Sequence, residues 1–385
     1  LDPALQRLLK RCQDQTRRLR IMDLGCGSAD GFELLNGIRV RDADLHQAEV
    51  HLLPPEVLGL YKGVDLSEAL LEQADDIYGH HPKMLFEQGD FTQGLPLGGD
   101  EKPYDLYFTS FGTCSHHNND DSMVNMLAEI AERCEGYCIV VCDWLGRYSY
   151  EWQDLWVQNP AELQNMDYVI SYIYEKEERE ARRDELEHLT LRLMSRPEID
   201  DILQRAEKQC GITITPRTFF DRSTWTGRHI DTGDYNPHAH PIRKAINPLH
   251  ETNVQSDLND LLVNYVPKRG FAFLNDYFEH LQVCWNTLVI NVQELLEAYD
   301  EESGRYTCDL APVPASYPAP LRKGIERMRH VIEGTGWLKR GLPRENILEP
   351  QLGYALRELV MQTQQGQGCA HGLVGILEID KTKKR

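Results

Sequence analysis

The sequence contains no long apolar run and little positive charge for its length. No stretch of its 385 residues approaches the ~18 consecutive apolar residues that a membrane-crossing helix needs. Lys and Arg number 41 against 61 Asp and Glu, which gives a formal net charge of −20. A field of this sign repels phosphate backbones and anionic lipids, so the composition argues against nucleic-acid and membrane partners.

Cysteine is sparse, and its spacing is uninformative. Ten cysteines in 385 residues are too few for a disulfide scaffold, and they never form the C-x-x-C pairs of a structural zinc site. His238 and His240 are metal-ligand residue types, but no third ligand follows at a recognisable spacing, so no metal site is predicted. The N-terminus lacks the pattern of a signal peptide, and we expect a cytoplasmic protein.

The first part of the chain alternates short apolar runs with helical patterns, which is typical of a parallel α/β sheet with helices on both faces. The predicted strands are 20–24, 60–65, 83–87, 104–110 and 137–143, and the predicted helices between them are 28–35, 67–78 and 120–133. The stretch 39–59 exceeds what a plain α/β unit needs. We interpret it as an insertion.

The second part of the chain is mostly helical. Helices are predicted at 197–210, 254–266, 271–299, 320–334 and 351–365, and strands at 190–194, 212–220 and 372–379. We therefore expect an α/β domain over 1–235, with extra strands at 190–220, and a mostly helical segment over 236–385. The apolar stripe of 271–299 is too wide for a solvated helix. It must pack on the α/β domain or on a second copy, and we favour a homodimer whose helical segment helps to close the ligand pocket.

A glycine-rich turn follows the first predicted strand. Residues 23–31 read DLGCGSADG, so a strand ends near an acidic residue, turns on glycines and enters a helix. Glycine lets a ligand approach the backbone closely, and a helix N-terminus offers N–H donors. Taken alone the turn is weak evidence, because many α/β proteins use glycine there for packing.

Polar turns follow the next three predicted strands as well. Asp65 ends the second strand, Asp90 and Phe91 follow the third, and Ser110 and Phe111 follow the fourth. Ligands of open α/β sheets bind outside the carboxyl ends of the strands. A carboxylate there suits ribose hydroxyls, and a second carboxylate beside an aromatic ring suits a purine. The four turns together predict a nucleoside site.

These motifs, DLGCG, GVDLS, GDF and YDLYFTSFG in order, resemble those of class I S-adenosylmethionine-dependent methyltransferases, a family with a Rossmann-like sheet. The resemblance covers about a third of the chain and implies S-adenosylmethionine as the cofactor. It implies contacts to the methionine part, the ribose, the adenine and the region of the methyl group. The residues so implied are Asp23, Gly25, Cys26, Gly27, Asp65, Leu66, Asp90, Phe91, Ser110 and Phe111.

A dinucleotide-binding dehydrogenase fits the same turn less well. Its G-x-G-x-x-G motif needs a third glycine at position 30, where this chain has Asp30. The gap from Asp23 to Asp65 is longer than the methyltransferase family usually has, because of the insertion at 39–59.

Four residues are candidates for handling the methyl acceptor. His116 and His117 follow the fourth strand. An imidazole there could act as a general base, or it could merely cap the next helix. Asp143 opens an aromatic-rich stretch after the fifth strand, which could line a pocket or pack a domain junction. Arg228 lies in a polar loop and could clamp an acceptor carboxylate.

The function predicted from these features is methyl transfer to a small molecule, with an oxygen or nitrogen acceptor favoured. A protein methyltransferase is the alternative, and it fits better than an RNA enzyme because a basic protein suits a charge of −20. A regulatory protein that binds S-adenosylmethionine without turnover is a further alternative.

Overall fold

The computed structural model of this chain describes residues 2–42, 48–51, 53, 56–159, 162, 164–170, 174, 176–179, 181–226, 235–240, 242–300, 302–303, 305–335 and 343–382. Its strands are β1 (Leu19–Leu24), β2 (Arg39–Asp42), β3 (Ala48–His51), β4 (Leu58–Asp65), β5 (Met84–Gln88), β6 (Leu106–Phe108), β7 (Tyr137–Gly146), β8 (Gln164–Val169), β9 (His188–Met194), β10 (Ile214–Arg222), β11 (Tyr299–Asp300), β12 (Arg305–Tyr306) and β13 (Gly372–Asp380). Its helices are α1 (Asp2–Asp14), α2 (Asp30–Asn36), α3 (Glu68–Tyr78), α4 (Asp120–Arg133), α5 (Lys176–Arg179), α6 (Arg196–Cys210), α7 (Ile242–Ile246), α8 (Ala272–Ala298), α9 (Ala319–Gly334) and α10 (Glu349–Thr363).

Five parallel strands form one half of the main sheet, in the order β5-β4-β1-β6-β7. Successive side chains alternate between the two faces of this sheet. Ile21 accordingly packs in a cluster with α1, α2 and α3, and its neighbour Met22 packs in another with α4 and α6. Helices thus cover both faces, and the predicted Rossmann-like α/β fold is confirmed.

The last strand, β13, lies inside the sheet. It is antiparallel to β7 on one side and to β10 on the other, which gives the order β7-β13-β10. Both strands were predicted, at 372–379 and 212–220, but β13 lies far beyond the expected domain boundary at residue 235. The mostly helical segment 236–385 therefore contributes one strand to the main sheet. Helix α1 also holds this strand, through Arg7 and Glu378 at 2.5 Å and Arg11 and Asp380 at 2.7 Å.

Two smaller features extend the sheet region. Strands β2 and β3 form an antiparallel pair within the predicted insertion at 39–59. Strands β8 and β9 form an antiparallel hairpin, and β9 joins the sheet beside the end of β7, where Leu145 pairs with Leu193 and Gly146 with Met194. This hairpin stands at the carboxyl edge of the parallel strands.

Most of the apolar stripe of α8 is covered within the chain. Its buried side chains, among them Phe278, Trp285 and Leu288, pack in one cluster with residues of α9 and α10. Phe273, Val283 and Ile290 on the same helix are exposed, and the homodimer stays a prediction. Among the described residues, no helix has both the length and the apolar character to cross a membrane.

The prediction of a helix at 254–266 is wrong. The structure has a single 3-10 turn there, Leu258–Leu261, which Asp257 caps by accepting from the N–H of Asn259. After it, the N–H groups of Val263 and Tyr265 donate to the side chains of Asn286 and Gln282 on α8, at 2.9 and 2.5 Å. Tertiary hydrogen bonds thus replace those of a helix.

Candidate functional site

The glycine turn between β1 and α2 is held in a conformation that favours glycine. Gly25 and Gly27 have φ of 72° and 53°, in the left-handed region where a side chain is disfavoured. A Cβ on Gly25 would lie 2.3 Å from Cγ2 of Thr113. The N–H groups of Gly25 and Cys26 donate to the carbonyl of Val64 at 2.7 and 3.0 Å, so β4 holds the turn in place.

Asp65, at the end of β4, faces this turn. Its Oδ2 accepts from the N–H of Gly27 at 2.8 Å, and its Oδ1 accepts from the N–H of Ser67 at 2.9 Å. Each oxygen of an ionised carboxylate has about two acceptor positions. Asp65 is therefore oriented by the backbone and keeps acceptor capacity on both oxygens for hydroxyl groups of a ligand.

The turns after β5 and β6 complete this edge. Asp90 accepts from both the N–H and the hydroxyl of Thr92 through Oδ1, at 2.9 and 2.6 Å, which begins a 3-10 turn containing the buried Phe91. After β6, Phe111 has a φ of 55° and is 39% exposed, whereas Ser110 is buried. A non-glycine residue held in this region is frequently part of a functional site.

One cavity of about 630 Å³ lies against all four turns. Eight of the ten residues implied by the resemblance line it, and Asp23 and Asp90 do not. The eight are Gly25, Cys26, Gly27, Asp65, Leu66, Phe91, Ser110 and Phe111. The four turns thus converge on one cavity, as the sequence predicts.

Asp23 lies beneath the turn, outside the cavity wall. It is fully buried, and its Oδ2 accepts from the hydroxyl of Tyr61 at 2.5 Å. A Cβ on Gly31 would come within 2.3 Å of the same oxygen, so the start of α2 packs directly on this carboxyl group. Burial raises the pKa of Asp23 to about 7, against the opposing effect of the Tyr61 hydrogen bond.

The two candidate bases, His116 and His117, are separated by the fold. His116 is exposed and lines the cavity. His117 is fully buried outside the wall, and its Nδ1 lies 2.9 Å from the hydroxyl of Ser122. That hydroxyl donates to the carbonyl of Asn119 at 3.0 Å, so the histidine is the donor of the pair. Burial lowers the pKa of His117 to about 4, which makes it a neutral core residue and not a base in the cavity.

Asp143 also lies away from the cavity. It is 5% exposed within β7, and its Oδ2 accepts from Nη2 of Arg222 on β10 at 2.8 Å. The prediction that it handles the acceptor is therefore replaced by a structural role within the sheet. The fourth candidate, Arg228, lies outside the described residues.

The hairpin β8–β9 supplies wall residues that the sequence did not single out. They come from both strands and the residues next to them, and they are Tyr168, Ile170, Glu187, Leu189 and Leu191. The alternation of Leu189 and Leu191 indicates a strand, but only the pairing of β9 with the end of β7 brings them to the cavity.

No protein-family model and no curated protein matches this chain. Among solved structures, it is similar to an S-adenosylmethionine-dependent methyltransferase from Clostridium acetobutylicum, at 13% identity over 56% of this chain and 82% of the other, with a TM-score of 0.36. One from Methanosarcina mazei has 13% identity over 55% of this chain and 87% of its own, with a TM-score of 0.36. An amino pentose methyltransferase from Micromonospora echinaspora, solved with S-adenosylmethionine bound, has 12% identity over 57% of this chain and 85% of its own, with a TM-score of 0.31.

The sheet itself defines the class of fold. Its strand order is β5-β4-β1-β6-β7-β13-β10, with β13 running against its neighbours and the glycine turn directly after the central β1. This is the fold of the class I S-adenosylmethionine-dependent methyltransferases.

Proposed function

We propose that this protein is an S-adenosylmethionine-dependent methyltransferase that acts on a small molecule. The observation that carries the proposal is the convergence of four predicted turns on one cavity at the carboxyl edge of the sheet. Its volume of about 630 Å³ falls in the range of about 300–1,000 Å³ that small-molecule sites occupy.

The residues at this edge fit the cofactor. Asp65 is oriented to accept from two ribose hydroxyls, and the turn of Gly25 and Gly27 admits the methionine part close to the backbone. Asp30 begins α2 and lines the cavity. Its carboxylate therefore lies at the helix start, where the pyrophosphate of a dinucleotide would bind. That charge repels a pyrophosphate and attracts a sulfonium or ammonium group.

The chemistry needs little from the chain beyond alignment. S-adenosylmethionine, when bound, would supply a methyl group that its sulfonium sulfur activates for displacement by a lone pair of the acceptor. The wall formed by the hairpin β8–β9 would orient the acceptor and exclude water. His116 is the candidate to remove a proton from the acceptor, since it is an exposed imidazole lining the cavity.

Calorimetric titration with S-adenosylmethionine and S-adenosylhomocysteine tests the cofactor. We expect micromolar binding, and a loss of about 10–100-fold in Asp65→Ala, because charge-assisted hydrogen bonds are removed. Asp76→Ala, which removes an exposed carboxylate on α3, is the matched control and should bind as the wild type does. Binding of NAD in place of both ligands would overturn the proposal.

A transfer assay tests the class of acceptor. The protein is incubated with methyl-labelled cofactor and, separately, a small-molecule extract, a protein mixture and RNA. We expect label in the small-molecule fraction. Label confined to polypeptide would favour the protein methyltransferase, and cofactor binding without transfer to any fraction would favour the regulatory alternative.

A further inference from the structure

The two ends of the cavity are built by different parts of the chain. The glycine turn and Asp65 follow β1 and β4, whereas the hairpin β8–β9 joins the sheet beside the end of β7. In the sheet, β1 and β6 separate β4 from β7. The hairpin therefore lines the end of the cavity remote from the glycine turn and Asp65.

The face of the hairpin that lines the cavity is apolar. Tyr168 and Leu189 are cross-strand partners, and Leu191 lies two residues further along the same face. Because side chains alternate along a strand, Asp167 and His188 lie on the opposite face, where they pair at 2.8 Å and are largely exposed. A ligand at this end thus meets apolar side chains from both strands.

One charge accompanies this apolar face. Glu187 directly precedes β9 and lines the cavity, and its carbonyl accepts from the N–H of Ile170 at 2.9 Å, which fixes its backbone at the wall. The acidic side chains among the described wall residues are Asp30, Asp65 and Glu187, and that part of the wall contains no Lys or Arg. An anionic ligand would therefore meet repulsion there, whereas a cationic group would be attracted.

We propose that the acceptor site takes an apolar or aromatic small molecule carrying an amine, and that Glu187 selects it by pairing with the ammonium group. The hydrocarbon or ring packs against Tyr168, Leu189 and Leu191, and the charged nitrogen lies at the edge of that face. This inference rests on the proposed methyltransferase function, because the hairpin face is an acceptor site only if the other end of the cavity holds the cofactor.

Three ligands that share a phenyl ring and differ in charge test the inference. The protein, saturated with S-adenosylhomocysteine, is titrated calorimetrically with 2-phenylethylamine, 2-phenylethanol and 3-phenylpropanoate at about pH 8, where free imidazoles are neutral. We expect the amine to bind about fivefold more tightly than the alcohol, since an exposed ion pair contributes this much, and the carboxylate to bind most weakly.

Variants separate the charge from the apolar surface. Glu187→Gln should remove the advantage of the amine and leave the affinity for the alcohol unchanged, and Glu187→Lys should turn the preference towards the carboxylate. Leu189→Ala should weaken the binding of the amine and of the alcohol by the same factor. The control is Glu185→Gln, the same change two residues away at a side chain outside the described wall, which should alter none of the three affinities.

The outcomes distinguish the two proposals. If the wild type fails to bind S-adenosylhomocysteine, the proposed function fails and this inference falls with it. If the cofactor product binds but none of the three ligands does, or the amine and the carboxylate bind equally, only this inference is overturned. An unchanged preference in Glu187→Gln overturns it as well.

Discussion

Arg222 donates to Asp143 across the end of β13, with 2.8 Å between Nη2 and Oδ2. Gly372 lies beneath this contact, since it pairs with Arg222 in the register of β10 and β13. A Cβ on Gly372 would lie 2.7 Å from Nη2 of Arg222. The ion pair thus links β7 and β10 over a strand whose first residue must be small.

Removal of this pair should cost stability and leave cofactor binding intact. We expect Asp143→Ala to lower the free energy of unfolding by about 1–3 kcal/mol, because the half-buried guanidinium of Arg222 loses its buried carboxylate partner. Gly372→Ala should have a cost of the same kind by displacing the guanidinium. Denaturant unfolding and titration with S-adenosylhomocysteine measure the two effects. An Asp143→Ala protein of unchanged stability without transferase activity would instead restore its catalytic assignment.

His117 should make the protein less stable in acid. Its folded pKa of about 4 lies below the ordinary 6.5, so the unfolded state binds the proton more readily. The stability it contributes is complete above about pH 6.5 and falls by about 3 kcal/mol as the pH drops to about 4. Asp23, whose pKa is raised to about 7, titrates in the same range with the opposite sign, so the contribution of His117 is measured as the difference between the wild type and a His117 variant in denaturant unfolding at several pH values.

Relative to the wild type, His117→Gln should gain about 3 kcal/mol of stability between pH 6.5 and 4, because the buried imidazole no longer titrates. The matched control is His116→Gln, which removes the neighbouring exposed imidazole and should retain the slope of the wild type. Equal slopes in His117→Gln and the wild type would contradict the burial of a neutral His117.

Gly25 should tolerate no side chain. Gly25→Ala places a Cβ 2.3 Å from Cγ2 of Thr113 at a φ of 72°, and we expect the affinity for S-adenosylhomocysteine to fall at least tenfold. Thr113→Ser added to this variant removes the clashing methyl group and should restore part of the loss, a coupling that a double-mutant cycle measures. Gly99→Ala is the control, because nothing lies within 4 Å of a Cβ there.

Asp221 should matter for stability although the sequence does not single it out. It is fully buried and accepts from the N–H groups of Gln367, Gly368 and Cys369 at 3.0, 2.7 and 2.9 Å. Asp221→Asn keeps one acceptor oxygen and puts an amide group against backbone donors. We expect a loss of about 2–3 kcal/mol in denaturant unfolding, whereas the exposed Asp76→Asn should change little.

The parallel strands and the glycine turn could be predicted because their signals are local. An apolar run, a glycine that permits a positive φ and a polar residue at a strand end are read from a few neighbouring residues. The cavity follows from them, since the carboxyl ends of parallel strands share one edge. The cytoplasmic location and the homodimer stay predictions.

The cavity wall formed by the hairpin β8–β9 could not be predicted, because it depends on pairing between segments that are distant in sequence. Alternation around Leu189 indicates a strand but not its neighbour, and β9 meets β7 through only its last two residues. The same limit applies to His116 and His117, which are adjacent in sequence and end in opposite environments. Asp143 was misassigned for this reason, since its partner Arg222 is on β10, a strand whose place the sequence left open.

The position of β13 in the middle of the sheet has a consequence for biosynthesis. Tyr137 on β7 and Glu378 on β13 are hydrogen-bonded although 241 residues separate them. Strands β7 and β10 are therefore synthesised long before β13, the strand that joins them. In that interval both strands expose unpaired edges with which other chains can pair. We infer that the nascent protein passes through a state in which the sheet lacks β13. The rate at which β13 pairs with β7 and β10 should then govern chaperone dependence and inclusion-body formation.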